Sequence, residues 1–421
     1  MSGIRGIAKR LSWGLGDQAV SSMSNFLVGL VVARELDVAG FGVFSLAWVT
    51  YGVMLNISRG LATDPLVVRF SGASTEDWRV ATSRATGTAV AVGVAFGVLS
   101  ALAGMVMGGA IGGAFLGLAV VVPGMLLQDA WRFAFFAAGH GHKAFVNDVV
   151  WAVAMVPFLF LASTHSAVSS FVLAWGAAAV VAAAYGWWQS GVLPRFDGVR
   201  DWLRAHRDLG SRYMVENVSN SGASQLRMYG LGAITGLAAV GAIRGAELLL
   251  GPFLALLMGV NLFAVPEAAR VLRRAPHRLA KFCAAIGGAQ AAAAAAWGAV
   301  LLFLVPDSLG RFLLDDVWPP ASELILPVSL SVTAAGVIAG ATAGLRALGA
   351  ARRSLRVQLI ASAGYLGFGL IGAVLGGAVG MSWGSTTAMW LGAGLWWLQL
   401  RAALRDHTPE PEPELLEVSA P

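Results

Sequence analysis

Residues 15–25 read LGDQAVSSMSN, and the fold turns on how they are read. They follow the basic segment RGIAKRLSWG (5–14) and precede the apolar run FLVGLVVA (26–33). Residues 11–34 together have the length of a membrane-spanning helix, since a hydrocarbon core of about 30 Å takes roughly 20 residues. Yet the first half of that span carries Asp17, Gln18, Ser21, Ser22, Ser24 and Asn25. A carboxylate and two amides are costly in hydrocarbon unless they face protein or a water-filled cavity. The stretch is therefore read as the inward-facing side of a helix that packs among others.

The rest of the chain supplies those others. Of its 421 residues, 57% are hydrophobic and 12% charged, and the mean hydropathy is +0.71. Soluble domains carry about 25% charged residues, so this composition indicates a polytopic membrane protein. The net charge of +6 sits in clusters between apolar segments. It speaks of topology rather than of nucleic acid, which would need a continuous basic face. Arg5, Lys9 and Arg10 before an apolar run imitate a signal peptide, but the run is long, begins polar and lacks a small-residue cleavage site. It reads as a retained first helix. The single cysteine, Cys283, lies in an apolar segment and reads as a packed small residue. Arginine far outnumbers lysine and Ala and Gly are abundant, a usage that suggests a GC-rich bacterial genome.

Windows of the required length predict twelve spans: 11–34, 40–62, 84–107, 111–136, 145–163, 168–190, 209–235, 238–264, 279–305, 321–344, 355–377 and 380–400. With the N-terminus cytoplasmic, 24 of the 29 Lys and Arg residues fall in inside segments. Only Arg34 and Arg311 fall outside, and Arg59, Arg227 and Arg244 fall within spans. The positive-inside rule then places both termini in the cytoplasm of a bacterial cell, with the protein in its cytoplasmic membrane. The inside segment 191–208, GVLPRFDGVRDWLRAHRD, divides the chain into an N-terminal six-helix bundle (1–190) and a C-terminal one (209–402). Its Trp202 among arginines suggests either a short interfacial helix or a solvated linker. The acidic, Pro-rich tail 403–421 is expected to be disordered.

A shift of 199 residues gives the opening stretch a counterpart, MVENVSNSGAS (214–224). Asp17-Gln18 falls on Glu216-Asn217, Ser21-Ser22 on Asn220-Ser221, Asn25 on Ser224 and Gly42 on Gly241. Six spans separate the repeats, so both have the same orientation. The expected fold class is all-α integral membrane, about twelve transmembrane helices in two six-helix bundles related by a parallel pseudo-two-fold repeat.

Polar residues at spacings i, i+4, i+8 share a helix face. Asp17, Ser21 and Asn25 do so in the first span, and Glu216, Asn220 and Ser224, followed by Arg227, in the seventh. Two readings stand for these stripes: walls of a central cleft, favoured for Asp17 and Glu216, or interhelical hydrogen bonding, favoured for the serines. Arg59, Arg227, Arg244 and Glu247 are further intramembrane charges. They either line a substrate pathway, where arginine offers an anion a bidentate fork, or pair among themselves. The candidate substrate cavity thus comprises Asp17, Asn25, Arg59, Glu216, Asn217, Asn220, Arg227, Arg244 and Glu247. A second cluster, Gln128, Asp129, Arg132, Asn147 and Asp148, is read as an ion-pair network or gate. GHGHK (139–143) has two histidines but no third ligand, so no metal site is assigned. HExxH, GxSxG and Walker A patterns are absent, so the chain is not read as an enzyme and no cofactor is assigned.

Twelve spans as six plus six, a polar first helix in each half and basic inside loops resemble the multidrug/oligosaccharidyl-lipid/polysaccharide (MOP) exporter superfamily. The likeness is nearest to its bacterial polysaccharide-biosynthesis, O-antigen-flippase-like branch. It is carried by GDQAVSSMSNFLVGLVVARELDVAGFGVFSLAW (16–48), QDAWRFAFFAAG (128–139), NDVVWA (147–152) and PDSLGRFLLDDVWPPA (306–321). The resemblance implies alternating access and movement of a lipid-linked oligosaccharide or polysaccharide precursor from the inner to the outer leaflet. It implies that Arg59, Arg227 and Arg244 hold a pyrophosphate and that Asp17 and Glu216 serve a coupling proton or Na+. Implied partners are the lipid-linked saccharide, the lipid bilayer and enzymes of envelope polysaccharide synthesis, with no nucleic acid. Two other functions remain open at this point: a cation-coupled multidrug or metabolite antiporter, and a non-transporting membrane scaffold for envelope synthesis.

Overall fold

A computed structural model describes the backbone of residues 2–406. The side chains of residues 2–12, 14–15, 209–221, 252, 255–263, 266 and 351 lie outside the described residues, as do 407–421 in full.

Twelve long helices account for almost all of the described chain. They are α1 Ser2–Glu35, α2 Val38–Phe70, α3 Thr75–Met107, α4 Gly109–Ala137, α5 Gly141–Ser163 and α6 Val168–Ser190 in the first half. The second half has α7 Arg207–Thr235, α8 Leu237–Arg274, α9 Leu279–Phe303, α10 Ile325–Ala347, α11 (351–375) and α12 (378–406). Each expected span finds its helix. Several helices overrun the expectation at the end bearing the arginine-rich loops, here the basic end: α3 begins nine residues before 84 and α8 runs ten past 264. Hydropathy windows see the lipid-buried part of a helix, while backbone hydrogen bonding continues into the polar layer.

The tightest turns lie at the opposite end. Gly108 and Gly109, Gly236 and Gly377 all take positive φ there and separate α3 from α4, α7 from α8 and α11 from α12. Only glycine adopts that region freely, so a single residue stops one helix and reverses the chain. Helix α2 is interrupted near the basic end by a π-turn, Arg59–Thr63, followed by Asp64-Pro65. The proline lacks an N–H and cannot close the regular ladder there. The free carbonyl of Leu61 accepts a hydrogen bond from Trp202 Nε1 at 3.2 Å. Trp202 sits on the short helix Val199–Ala205 of the connecting segment, 2% exposed and stacked on Phe70. The short helix forms, but Trp202 inserts into the protein rather than lying at a lipid interface or in solvent. A π-turn carbonyl and an aromatic pocket are tertiary features that the local sequence does not announce.

The halves follow one plan. In the first, α3 packs along α4, α4 along α6 and α1 along α5. In the second, α9 packs along α10; Thr386 Oγ1 donates to the Pro327 carbonyl between α12 and α10, and Gly230 meets Leu370 between α7 and α11. The halves meet through α1 and α2 on one side and α7 and α8 on the other. Their closest approach is reciprocal. A Cβ on Gly42 would overlap the carbonyl of Leu237, and one on Gly241 would overlap the carbonyl of Val38. Val38 and Leu237, like Gly42 and Gly241, are 199 residues apart. Each residue therefore contacts the counterpart of its own neighbour, the signature of a two-fold relation.

Candidate functional site

Two groups of polar residues lie inside this frame. The first is an ion-pair network near the basic end of the first half. Arg132 on α4 is its hub: Nη2 donates to Asp17 Oδ2 at 2.5 Å, Nε lies 3.1 Å from Asp148 Oδ1 and Nη1 lies 3.7 Å from Asp129 Oδ1. Arg59, beside the π-turn, grips Asp129 with both tines of its fork, Nε to Oδ2 at 2.9 Å and Nη2 to Oδ1 at 2.6 Å. Gln128 Nε2 donates to Asp148 Oδ1 at 2.8 Å and to Asn147 Oδ1 at 3.1 Å, and Asn147 Nδ2 donates to the Ala182 carbonyl on α6. The network thus ties α1, α2, α4, α5 and α6 together. Among the described residues, Asp17, Asp129 and Asp148 face two guanidiniums, and all three carboxylates are buried. Asp17 Oδ1 and Asp148 Oδ2 accept no hydrogen bond from the described residues. A carboxylate surplus in a low-dielectric interior favours uptake of a positive charge.

The second group lies at the seam between the halves and toward the opposite end. Residues of α1, α2, α7, α8, α10 and α11 enclose a cavity of about 480 Å³ there. Its polar wall is built from Ser22, Asn25, Ser45, Ser224, Ser331 and Tyr365, with Arg244 and Glu247. Glu247 bridges two arginines: Arg227 Nη2 donates to Oε1 and Arg244 Nη1 to Oε2, both at 2.9 Å. Arg227 is fully buried behind the wall. It lies over the Tyr365 ring at 4.9 Å, and its Nη1 donates to Ser385 Oγ at 3.3 Å. Arg244 and Glu247 are partly exposed to the cavity, and Trp48 faces Arg244 across the seam at 6.0 Å. Among the described residues, two guanidiniums sharing one carboxylate leave a positive surplus beside the cavity.

The residues expected at the cavity wall therefore divide. Asn25, Arg244 and Glu247 line it, and Arg227 stands directly behind. Asp17 and Arg59 do not; the structure places both in the ion-pair network with Asp129, Arg132 and Asp148. The reason lies in helical geometry. Eight residues at about 100° each bring Asn25 roughly 80° around the axis from Asp17. That rotation lets Asp17 face α4 while Ser22 and Asn25 face the seam. The side chains of Glu216, Asn217 and Asn220 lie outside the described residues. Trp48, Tyr365 and Ser385 are additions that the sequence reading did not name. Tyr365 carried a signal, as one of only five tyrosines and one set within an apolar span.

No protein-family model matches the chain, and no curated protein is significantly similar to it in sequence. Its fold does match solved structures. An inward-facing multidrug-resistance MATE-family transporter of the MOP superfamily superposes with a TM-score of 0.72 at 14% identity, covering 91% of this chain and 94% of that one. The lipid II flippase MurJ in an inward-closed conformation gives 0.64 at 12%, covering 91% and 87%. A MOP superfamily transporter from Pyrococcus furiosus gives 0.55 at 13%, covering 96% of each. The chain is a multi-pass membrane protein with the MOP superfamily fold.

Proposed function

We propose that the chain is an alternating-access transporter of the bacterial cytoplasmic membrane, with its basic end in the cytoplasm. It flips a lipid-linked oligosaccharide or polysaccharide precursor from the inner to the outer leaflet, with 1–190 and 209–402 as the rocking units. The observation that carries this reading is the charge at the cavity. Arg244 at the wall and Arg227 behind it share Glu247, and the rest of the lining mixes hydroxyls, an amide and aromatic rings with aliphatic Leu and Val side chains. A pyrophosphate could displace Glu247 from one fork and accept bidentate hydrogen bonds from it. The hydroxyls and rings suit a sugar, and a lipid II flippase is among the proteins sharing the fold. The test is movement of a fluorescent lipid-linked saccharide in proteoliposomes. Flipping above protein-free vesicles that falls in Arg244→Ala supports the reading; no flipping by folded protein overturns it.

The carboxylate surplus around Arg132 favours a second element, coupling to a proton or Na+. Uptake of one cation would balance Asp17, Asp129 and Asp148 against Arg59 and Arg132. Such coupling makes flipping depend on an imposed cation gradient, and Asp17→Asn would remove that dependence while leaving slow, gradient-insensitive flipping. Equal rates with and without a gradient in the unmodified protein would exclude it.

A further inference from the structure

Away from the seam, a groove of about 420 Å³ runs between the start of α11 and the end of α12 at the basic end. One face of each helix forms it: Arg353, Arg356, Val357 and Ile360 on α11, and Leu395, Gln399, Ala402 and Asp406 on α12. The chemistry changes along its length. Arg353 and Arg356 stand at the mouth, and Ile360 and Leu395 form the deeper part. Seven residues separate Arg353 from Ile360, about 10 Å along the axis, the step from a phospholipid headgroup to its first acyl carbons.

We propose that this groove binds an anionic phospholipid of the leaflet on the basic side, with the phosphodiester at Arg356 and Arg353 and an acyl chain along Ile360 and Leu395. Arg356 is exposed and has no carboxylate partner among the described residues. Arg353 is held by Asp406, the only carboxylate lining the groove among the described residues. Arg352, Arg401 and Arg405 are exposed at the same end, so positive charge predominates among the described residues there. Basic grooves between helices at a membrane surface attract anionic headgroups. The apolar half is open to lipid: Ile360 is 59% exposed, and its neighbours Leu359 and Leu398 are 56% and 58% exposed. A soluble phosphate would use the mouth and leave that half empty, whereas a lipid occupies both. Asp406 gives the site a counter-ion that competes with the headgroup for Arg353.

The test is native mass spectrometry of the full chain, exchanged from detergent into equal amounts of phosphatidylglycerol and phosphatidylcholine. Phosphatidylglycerol is expected to be retained about tenfold over phosphatidylcholine. Arg356→Ala should cut that ratio at least fivefold, and Asp406→Asn, a surface change that spares folding, should raise it. Arg274→Ala with Arg278→Ala, in a basic groove elsewhere on the same end, should leave it unchanged. Unchanged ratios in both Arg356→Ala and Asp406→Asn overturn the proposal. So does equal displacement of the lipid by millimolar glycerol phosphate, which would assign the site to a free phosphate.

Discussion

The two halves share a helical plan and differ in where they hold charge. In the first, Asp17, Asp129 and Asp148 surround Arg59 and Arg132 near the basic end, with acid in surplus. In the second, Arg227 and Arg244 share Glu247 at the seam, with cation in surplus. The repeat shift makes the contrast explicit. Arg227, Arg244 and Glu247 fall on Val28, Ser45 and Trp48 of the first half. The common frame is thus set by glycines and apolar faces, while the charges that break the symmetry differ between halves. One cluster lies in the first half with its three carboxylates buried. The other stands beside a cavity.

The comparison is most sharply broken at Arg132. Removing one partner of a buried ion pair leaves uncompensated charge and costs about 3–5 kcal/mol. Arg132→Ala is therefore expected to destabilise the protein by that amount, read from thermal or denaturant unfolding in detergent. A folded variant of unchanged stability would show that the network does not hold the first half together.

Next in size is the seam. Gly42→Val or Gly241→Val places a side chain against the opposite carbonyl, and overpacking of this kind costs about 1–3 kcal/mol. Because each contact mirrors the other, the two variants should have similar effects. Spin labels on the loops at that end should report a wider separation between the halves. An effect from only one glycine would contradict the reciprocal geometry.

Smaller in stability and larger in transport is Arg244→Ala. The side chain is partly exposed and Glu247 keeps Arg227, so stability should change by about 1 kcal/mol or less. Flipping of an anionic lipid-linked substrate should fall at least tenfold. Unimpaired flipping would separate the cavity charge from function.

The smallest expected effect is on the connecting segment. Burial against Trp202 and Phe70 holds the imidazole of His206 below its ordinary 6.5. The docked segment therefore binds fewer protons than an undocked one, and docking weakens as pH falls below about 6.5. Protection factors of the amides of residues 199–206, that is, exchange corrected for its intrinsic pH dependence, should fall between pH 7.5 and 5.5, and Trp202→Ala should abolish that change by freeing the segment at both pH values.

Most of the fold is legible in the sequence. Twelve apolar stretches of bilayer length, basic loops in alternate connections and the 199-residue echo yield the helices, their order and their pseudo-symmetry. These are properties of single segments and their spacing, governed by transfer from water to lipid and by local backbone geometry. The 199-residue shift aligns Gly42 with Gly241, and the fold then brings this pair together at the seam. Arg227, Arg244 and Glu247 were legible for the same reason, since a charge within an apolar span has few places to go.

Tertiary structure alone decided which charge meets which. Asp17 and Arg132 are 115 residues apart, and no local rule joins them. An eight-residue stripe turns about 80° around its helix, so the polar run at 15–25 serves two neighbours at once: Asp17 toward α4, and Ser22 and Asn25 toward the cavity. The sequence by itself determined that this helix must hide a polar face. Only the packing of α1 against α5 and α8, with Arg132 of α4 in reach of Asp17, determined what each polar group faces, because desolvation penalises exposure to lipid but does not choose the partner.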